Sequence, residues 1–305
     1  SVEMYVTLRT KDSPSVHWSS SADESSSSSF STNSPLRKRR RRRRIIGDEE
    51  VGDDTRRAMN EENARLSRIR RRVWVSKEDE EDVVAAAVDP VVLDYDAKTK
   101  VPLITVHPSL VKLMKRHQVE GAHFLFDSCY ESVEQIQARE HSGGGCILSH
   151  CMGLGKTFTV ISFLQAVMAN ERLTRTRLAL VVAPKGAVIQ WVREFEMWQG
   201  FIPDEERVAV FDMNECDTME SKVRVLDWWF TSDTPAVLVM SYTRLRLLLQ
   251  LKQTAGNAAE VARIRHSLIL PGPDILVCDE GHVLKNSKSA IYKAVCQIHS
   301  ITEGH

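Results

Sequence analysis

The chain has 305 residues, 42% of them hydrophobic, and its 41 basic side chains balance 41 acidic ones. That is room for one or two domains with a sizeable core. No apolar run reaches the roughly 20 residues of a membrane-crossing helix, and the opening "SVEMYVTLRTKDSP" lacks a signal-peptide core, so no membrane partner is expected. The six cysteines form no Cys-x-x-Cys pair, which points to reduced thiols rather than a disulfide framework.

The zero net charge hides strong segregation. Residues 1–90 are expected to form a disordered, Ser-rich and charge-patterned tail. "SSSADESSSSSF" (Ser19 to Phe30) cannot bury enough apolar surface to offset the entropy of ordering it. "RKRRRRRR" (Arg37 to Arg44) reads as a nuclear import signal for an import receptor, a nucleic-acid contact or a solubilising run. Acidic and basic blocks alternate after it: "DEEVGDD", "RLSRIRRR" and "EDEED". Such blocks stay solvated and serve as tails. Residues 56–75 have the composition of an Arg-rich surface helix.

The folded part is expected over residues 91–305. Helical spacing begins near Pro108, with Leu110, Leu113, Met114, Val119, Phe124 and Leu125, and "HSGGG" (His141 to Gly145) ends it. Beyond that point short apolar runs alternate with amphipathic ones. "CIL", "LALVVAP", "RVAVF", "AVLVMSY" and "DILVCDE" read as strands. "KTFTVISFLQAVMAN", "AVIQWVREFEMW", "KVRVLDWWF", "TRLRLLLQL" and "SAIYKAVCQIHSI" read as helices. Continuous apolar strands alternating with helices predict an α/β fold, a parallel sheet covered on both faces.

Two motifs carry chemistry. "HCMGLGKT" (His150 to Thr157) falls between a strand and a helix, where a phosphate loop belongs. Backbone N–H groups there would face anionic oxygens, Gly153 and Gly155 would let the backbone approach, Lys156 would reach the β- and γ-phosphates, and the Thr157 hydroxyl would hold Mg²⁺. The strict pattern asks for glycine where His150 stands. "ILVCDEGH" (Ile275 to His282) delivers Asp279 and Glu280 at the carboxyl end of a strand, the edge where α/β sheets bind ligands. Asp279 suits the Mg²⁺ shell and Glu280 the polarisation of an attacking water. A GTPase would need glycine where His282 stands, and neither an Asn-Lys-x-Asp guanine reader nor a Leu-Ser-Gly-Gly-Gln transporter signature is present. Cys146, His150 and Cys151 lie close in sequence, but lack the second ligand pair of a zinc site.

"LMKRHQVEG", "GCILSHCMGLGKT", "LVVAPKGAVIQWVREFEMW", "VLVMSYTRLR" and "PGPDILVCDEGHVLKN" occur in one order. In this combination the chain resembles the first RecA-like lobe of the Swi/Snf family of DNA-translocating ATPases over roughly residues 91–299. Most of that family has two acids where His150 and Cys151 stand; "SHCMGLGKT" with "CDEGHVLKN" is similar to the ATRX-like branch. The resemblance implies ATP and Mg²⁺ as ligands. It implies a nucleotide contact from Gln118 as adenine reader and from Met152, Gly153, Leu154, Gly155, Lys156 and Thr157. The branch usually has Pro where Arg116 stands. His282 resembles the residue that couples the nucleotide site to later motifs. Lys185 and Gly186 resemble contacts to the DNA backbone, whereas Trp191, Phe195 and Trp198 share one helical face and read as core.

The same resemblance implies DNA-dependent ATP hydrolysis, movement along double-stranded DNA and chromatin remodelling in the nucleus. The chain reaches its last residue before a Thr-Gly-Thr-Pro segment and a second lobe with its arginines. The expectation is therefore a truncated lobe that binds ATP without efficient turnover. A strand-separating helicase and a non-hydrolysing nuclear scaffold are the alternatives.

Overall fold

The computed structural model describes residues 2–8, 89–138, 144–150, 153–254 and 256–299. The Ser-rich run, the Arg37 to Arg44 block and the helix expected over 56–75 lie outside the described residues.

Strand β1 (Val2–Leu8) differs from the tail expected around it. Val2, Met4, Val6 and Leu8 alternate with Glu3, Tyr5 and Thr7, the period-two pattern of a strand. Met4 and Val6 are buried at 1% and 0% exposure. The Ser-rich composition that follows masked this short alternation.

A hairpin comes next, β2 (Val92–Tyr95) against β3 (Pro102–Thr105), antiparallel. Asp96 closes its turn: its carboxylate accepts from the N–H groups of Lys98 and Thr99 at 2.9 and 2.7 Å, which hold that carboxyl below the usual range. The single helix expected from Pro108 is two, α1 (Pro108–Val111) and α2 (Arg116–Cys129). Lys115, extended at φ −88° and ψ 156°, separates them, and the Gln118 side chain reaches back to its N–H. α3 (Val133–Ala138) starts on a bond from the Val133 N–H to the Asp94 carboxylate at 2.7 Å.

The remaining elements are β4 (Gly145–His150), α4 (Lys156–Ala169), α5 (Glu171–Thr174), β5 (Leu178–Ala183), α6 (Lys185–Gln199), β6 (Ala209–Asp212), α7 (Met219–Phe230), β7 (Ala236–Ser241), α8 (Tyr242–Leu249), α9 (Ala258–Leu268), β8 (Ile275–Cys278) and α10 (Ala290–His299). Every strand and helix expected after residue 144 is there. α9 was not foreseen, because its apolar stripe of Val261, Ile264 and Leu268 is thin among arginines.

Six strands form one sheet in the order β4-β1-β8-β5-β7-β6. β5 pairs parallel with β7 and β8, and β6 parallel with β7. β1 runs antiparallel to both its neighbours, pairing Val2 with His150 and Tyr5 with Cys278. β4 and β8, the two strands that lead into the chemical motifs, thus point the same way with β1 between them.

Side chains alternate across the pleat and feed two cores. Val181, Val239 and Val277 enter the core beneath α2, α4 and α6. Leu180, Leu238, Met240 and Leu276 enter the one beneath α7, α8, α9 and α10. α4 is buried nearly all round, from Phe158 to Met168, and Phe158 packs at a tilt of 31° against Trp198 of α6 with ring centroids 4.0 Å apart. Burial of each such large apolar side chain stabilises the fold by about 1.5–3 kcal/mol. Among the described residues no helix is long and apolar enough to cross a membrane.

Candidate functional site

β4 carries the chain to the sheet's carboxyl edge, and α4 carries it away. Gly153 and Gly155 turn it between them, at φ 82° and 73°. Both values lie in the left-handed region that side chains resist. Gly155 has a second constraint, since a Cβ there would strike the Gln118 amide nitrogen. Gly155 occupies the cap position of α4 and has no side chain with which to bond the first N–H groups of the helix. Those groups lack intrahelical partners and carry the positive end of the helix dipole. Space is open beside the Gly153 Cα. These features fit the phosphates of a nucleotide. Lys156 opens the helix at 8% exposure, and Thr157 beside it is partly buried.

Gln118 lies against this loop at 6% exposure. Its Nε2 donates to the Leu154 carbonyl at 3.2 Å, and its Oε1 accepts from the Lys115 N–H at 2.8 Å. The amide thus ties the start of α2 to the loop with both of its ends.

β8 brings the acidic pair to the same edge. The Asp279 N–H donates to the Val182 carbonyl at 2.9 Å, which extends the β5–β8 ladder to the site. The Asp279 carboxylate accepts from the Trp191 indole N–H at 2.9 Å on Oδ2 and from the Glu280 N–H at 2.9 Å on Oδ1. The Tyr242 hydroxyl donates to the Asp279 carbonyl at 2.7 Å. Burial pushes the Tyr242 phenol well up and the Cys278 thiol up to about 12, and the nearby Asp279 charge adds to both. Both groups therefore stay protonated at neutral pH, and Tyr242 keeps the proton it donates.

Glu280 adopts φ 52° and ψ 51°. A non-glycine residue there costs about 1–2 kcal/mol, and such strain gathers at functional positions. Its carboxylate lies 3.1 Å from the His282 Nδ1. The 3₁₀ turn Gly281–Leu284 follows, and the Tyr5 ring of β1 covers Gly281 so closely that a Cβ would enter the ring.

Lys185 and Gly186 stand exposed at the start of α6, just past the carboxyl end of β5 and so on the same edge. Met152, Cys151 and the His150 side chain lie outside the described residues. Among the described residues no group of three metal-ligating side chains forms, and none of Cys129, Cys146, Cys216, Cys278 and Cys296 is in a disulfide. Thr157 and Asp279 carry hard oxygen atoms of the kind that Mg²⁺ takes.

Residues 57–302 match the family described as SNF2-related domain. The chain belongs to the SNF2-related family. It is 34% identical over 250 residues to a Drosophila melanogaster protein named Transcriptional regulator ATRX homolog, covering 80% of this chain and 18% of that protein. It is 39% identical over 209 residues to human Transcriptional regulator ATRX, covering 68% of this chain and 8% of that one. Human Helicase ARIP4 is 32% identical over 227 residues, 63% of this chain and 15% of that protein. The chain therefore spans less than a fifth of the length of these relatives. The mostly parallel sheet with helices on both faces is the RecA-like lobe that the resemblance implied.

Within this SNF2-related lobe the tertiary structure adds partners that the sequence reading left aside. Trp191 reads as core from its spacing with Phe195 and Trp198, and it is core, at 1% exposure. Its indole nitrogen also ends on Asp279, a contact between residues 88 positions apart. Only the rule that a buried indole N–H needs an acceptor could have hinted at it. Tyr242 and Tyr5 had no sequence signal, since Tyr242 reaches the acidic turn from the start of α8 and Tyr5 from β1.

Proposed function

We propose that this chain is the ATP-binding lobe of a DNA-dependent ATPase that moves along double-stranded DNA and remodels chromatin in the nucleus. The observation that carries the reading is the pairing of an anion-ready helix start at Lys156 with the Asp279–Glu280 turn, on one edge of one sheet. Membership of the SNF2-related family and the names of its relatives, transcriptional regulators ATRX, support the chromatin part.

In this reading the loop N–H groups and Lys156 hold the phosphates, with Met152, Gly153, Leu154, Gly155 and Thr157 lining them. Thr157 and Asp279 hold Mg²⁺, which when bound supplies positive charge to the phosphate oxygens. Glu280 orients the attacking water and takes its proton, and His282, 3.1 Å from that carboxylate, couples the site to the rest of the machine. Gln118 serves as adenine reader: its amide donates to Leu154 and accepts from Lys115, and has one further N–H and one further lone pair to offer a base. Lys185 and Gly186 meet a DNA phosphate at the start of α6, and Arg37 to Arg44 engages an import receptor. The chain by itself binds ATP without efficient turnover.

Calorimetric titration with Mg-ATP tests the site. Wild type binds, and Lys156→Ala loses at least about tenfold, because a charge-assisted contact of about 1.5–3 kcal/mol is removed. Equal affinity of the two proteins refutes the assignment. The name of Helicase ARIP4 favours a second reading, strand separation. In a longer protein containing this lobe, DNA-stimulated ATPase without unwinding of a labelled duplex decides for movement along intact DNA.

A further inference from the structure

We propose that His117 is a positioning residue for the phosphate loop, acting on the orientation of a single peptide group; this rests on the nucleotide reading above. His117 Nε2 lies 3.0 Å from the Leu154 carbonyl oxygen, which also accepts from Gln118 Nε2 at 3.2 Å. A carbonyl oxygen only accepts, so the imidazole must carry its proton on Nε2. Two donors from adjacent residues of α2 thus converge on one oxygen, 37 and 36 positions along the chain.

The consequence follows from peptide geometry. In a planar trans peptide the C=O and the next N–H point in opposite directions. Drawing the Leu154 oxygen towards α2 therefore turns the Gly155 N–H away from α2. This peptide turns about Leu154 ψ and Gly155 φ, and Gly155 lies in the left-handed region at φ 73°. Glycine resists rotation less than any other residue, so on its Gly155 side the backbone does little to hold the plane. Gln118 is already committed to Lys115 with its other end and is buried. His117 is the second, independent grip, and it selects the loop conformation in which the Gly155 N–H is available to an anion.

The test uses the full chain, with Mg²⁺ and a fluorescent N-methylanthraniloyl ADP followed by anisotropy, beside thermal unfolding without nucleotide. His117→Leu keeps bulk and removes the donor. His117→Gln places an N–H near the position of Nε2, and His117→Asn carries an amide too short to reach. The expected result is about fivefold weaker binding for Leu and Asn, the size of one neutral hydrogen bond, with Gln within about twofold of wild type and all three unfolding near the wild-type midpoint. Leu and Asn binding as tightly as wild type while Lys156→Ala has lost affinity overturns the His117 role and leaves the nucleotide site standing. Weaker binding in all three, Gln included, together with a lowered midpoint, assigns His117 to folding alone and also overturns it. A wild-type chain that fails to bind the probe removes both readings.

Discussion

The glycine loop before α4 and the acidic turn after β8 lie on one edge of the sheet but are secured in different ways. The loop is gripped through its backbone: the Leu154 carbonyl takes donors from α2, and two glycines leave the chain free to rotate. The acidic turn is gripped through aromatic side chains: Trp191 bonds the Asp279 carboxylate, Tyr242 bonds its carbonyl, and the Tyr5 ring covers Gly281. Hydrogen bonds to a backbone carbonyl can be exchanged when a ligand arrives. The Trp191 and Tyr242 rings are buried and cannot move without opening the core. The loop side therefore rests on contacts that a ligand can replace, and the acidic side on packing that it cannot.

The largest expected effect strikes the rigid side. Trp191 is 1% exposed, so Trp191→Ala should cost about 3–5 kcal/mol in urea unfolding. Trp191→Phe keeps most of the packing and deletes only the indole donor. It should cost about 1–3 kcal/mol and raise the Mg²⁺ concentration needed for nucleotide binding, because the Asp279 carboxylate is released to turn. An unchanged Mg²⁺ titration in the Phe variant would show that the indole serves packing only.

A middle-sized effect tests whether β1 belongs to the rigid side. Gly281→Ala drives a Cβ into the Tyr5 ring and should destabilise the fold. Tyr5→Ala makes room, so the double variant should be more stable than the sum of the single changes implies, by a coupling of about 0.5–3 kcal/mol. Additive losses would mean that β1 does not press on the turn.

The smallest effect belongs to α2, the helix that grips the loop. Burial lowers the pKa of His123 from 6.5, so the unfolded chain binds the proton more readily than the folded one. The sign follows: this contribution is complete above about pH 6.5 and is lost as pH falls below it. Urea midpoints should decline in that window, and His123→Gln should flatten the decline. An identical slope in the variant would place the acid sensitivity elsewhere.

The alternation of apolar runs and amphipathic stretches after residue 144 determined the lobe, because strands buried on both faces must be apolar throughout and crossover helices must be amphipathic. The Gly-Lys-Thr and Asp-Glu motifs each follow an apolar strand in the sequence, which was enough to place both at the carboxyl edge of the sheet. Local signals failed where partners are distant. β1 has one short alternation, and its place between β4 and β8 comes from two pairings at once. The break at Lys115 shows only once Gln118 folds back to cap α2. Trp191 and Asp279, Tyr242 and Asp279, Tyr5 and Gly281, and His117 and Leu154 are pairs that sequence spacing cannot reveal. Each joins elements that touch only after the sheet has set their order. The residue types for the chemistry were thus written locally, whereas their orientation was decided by contacts across the sheet.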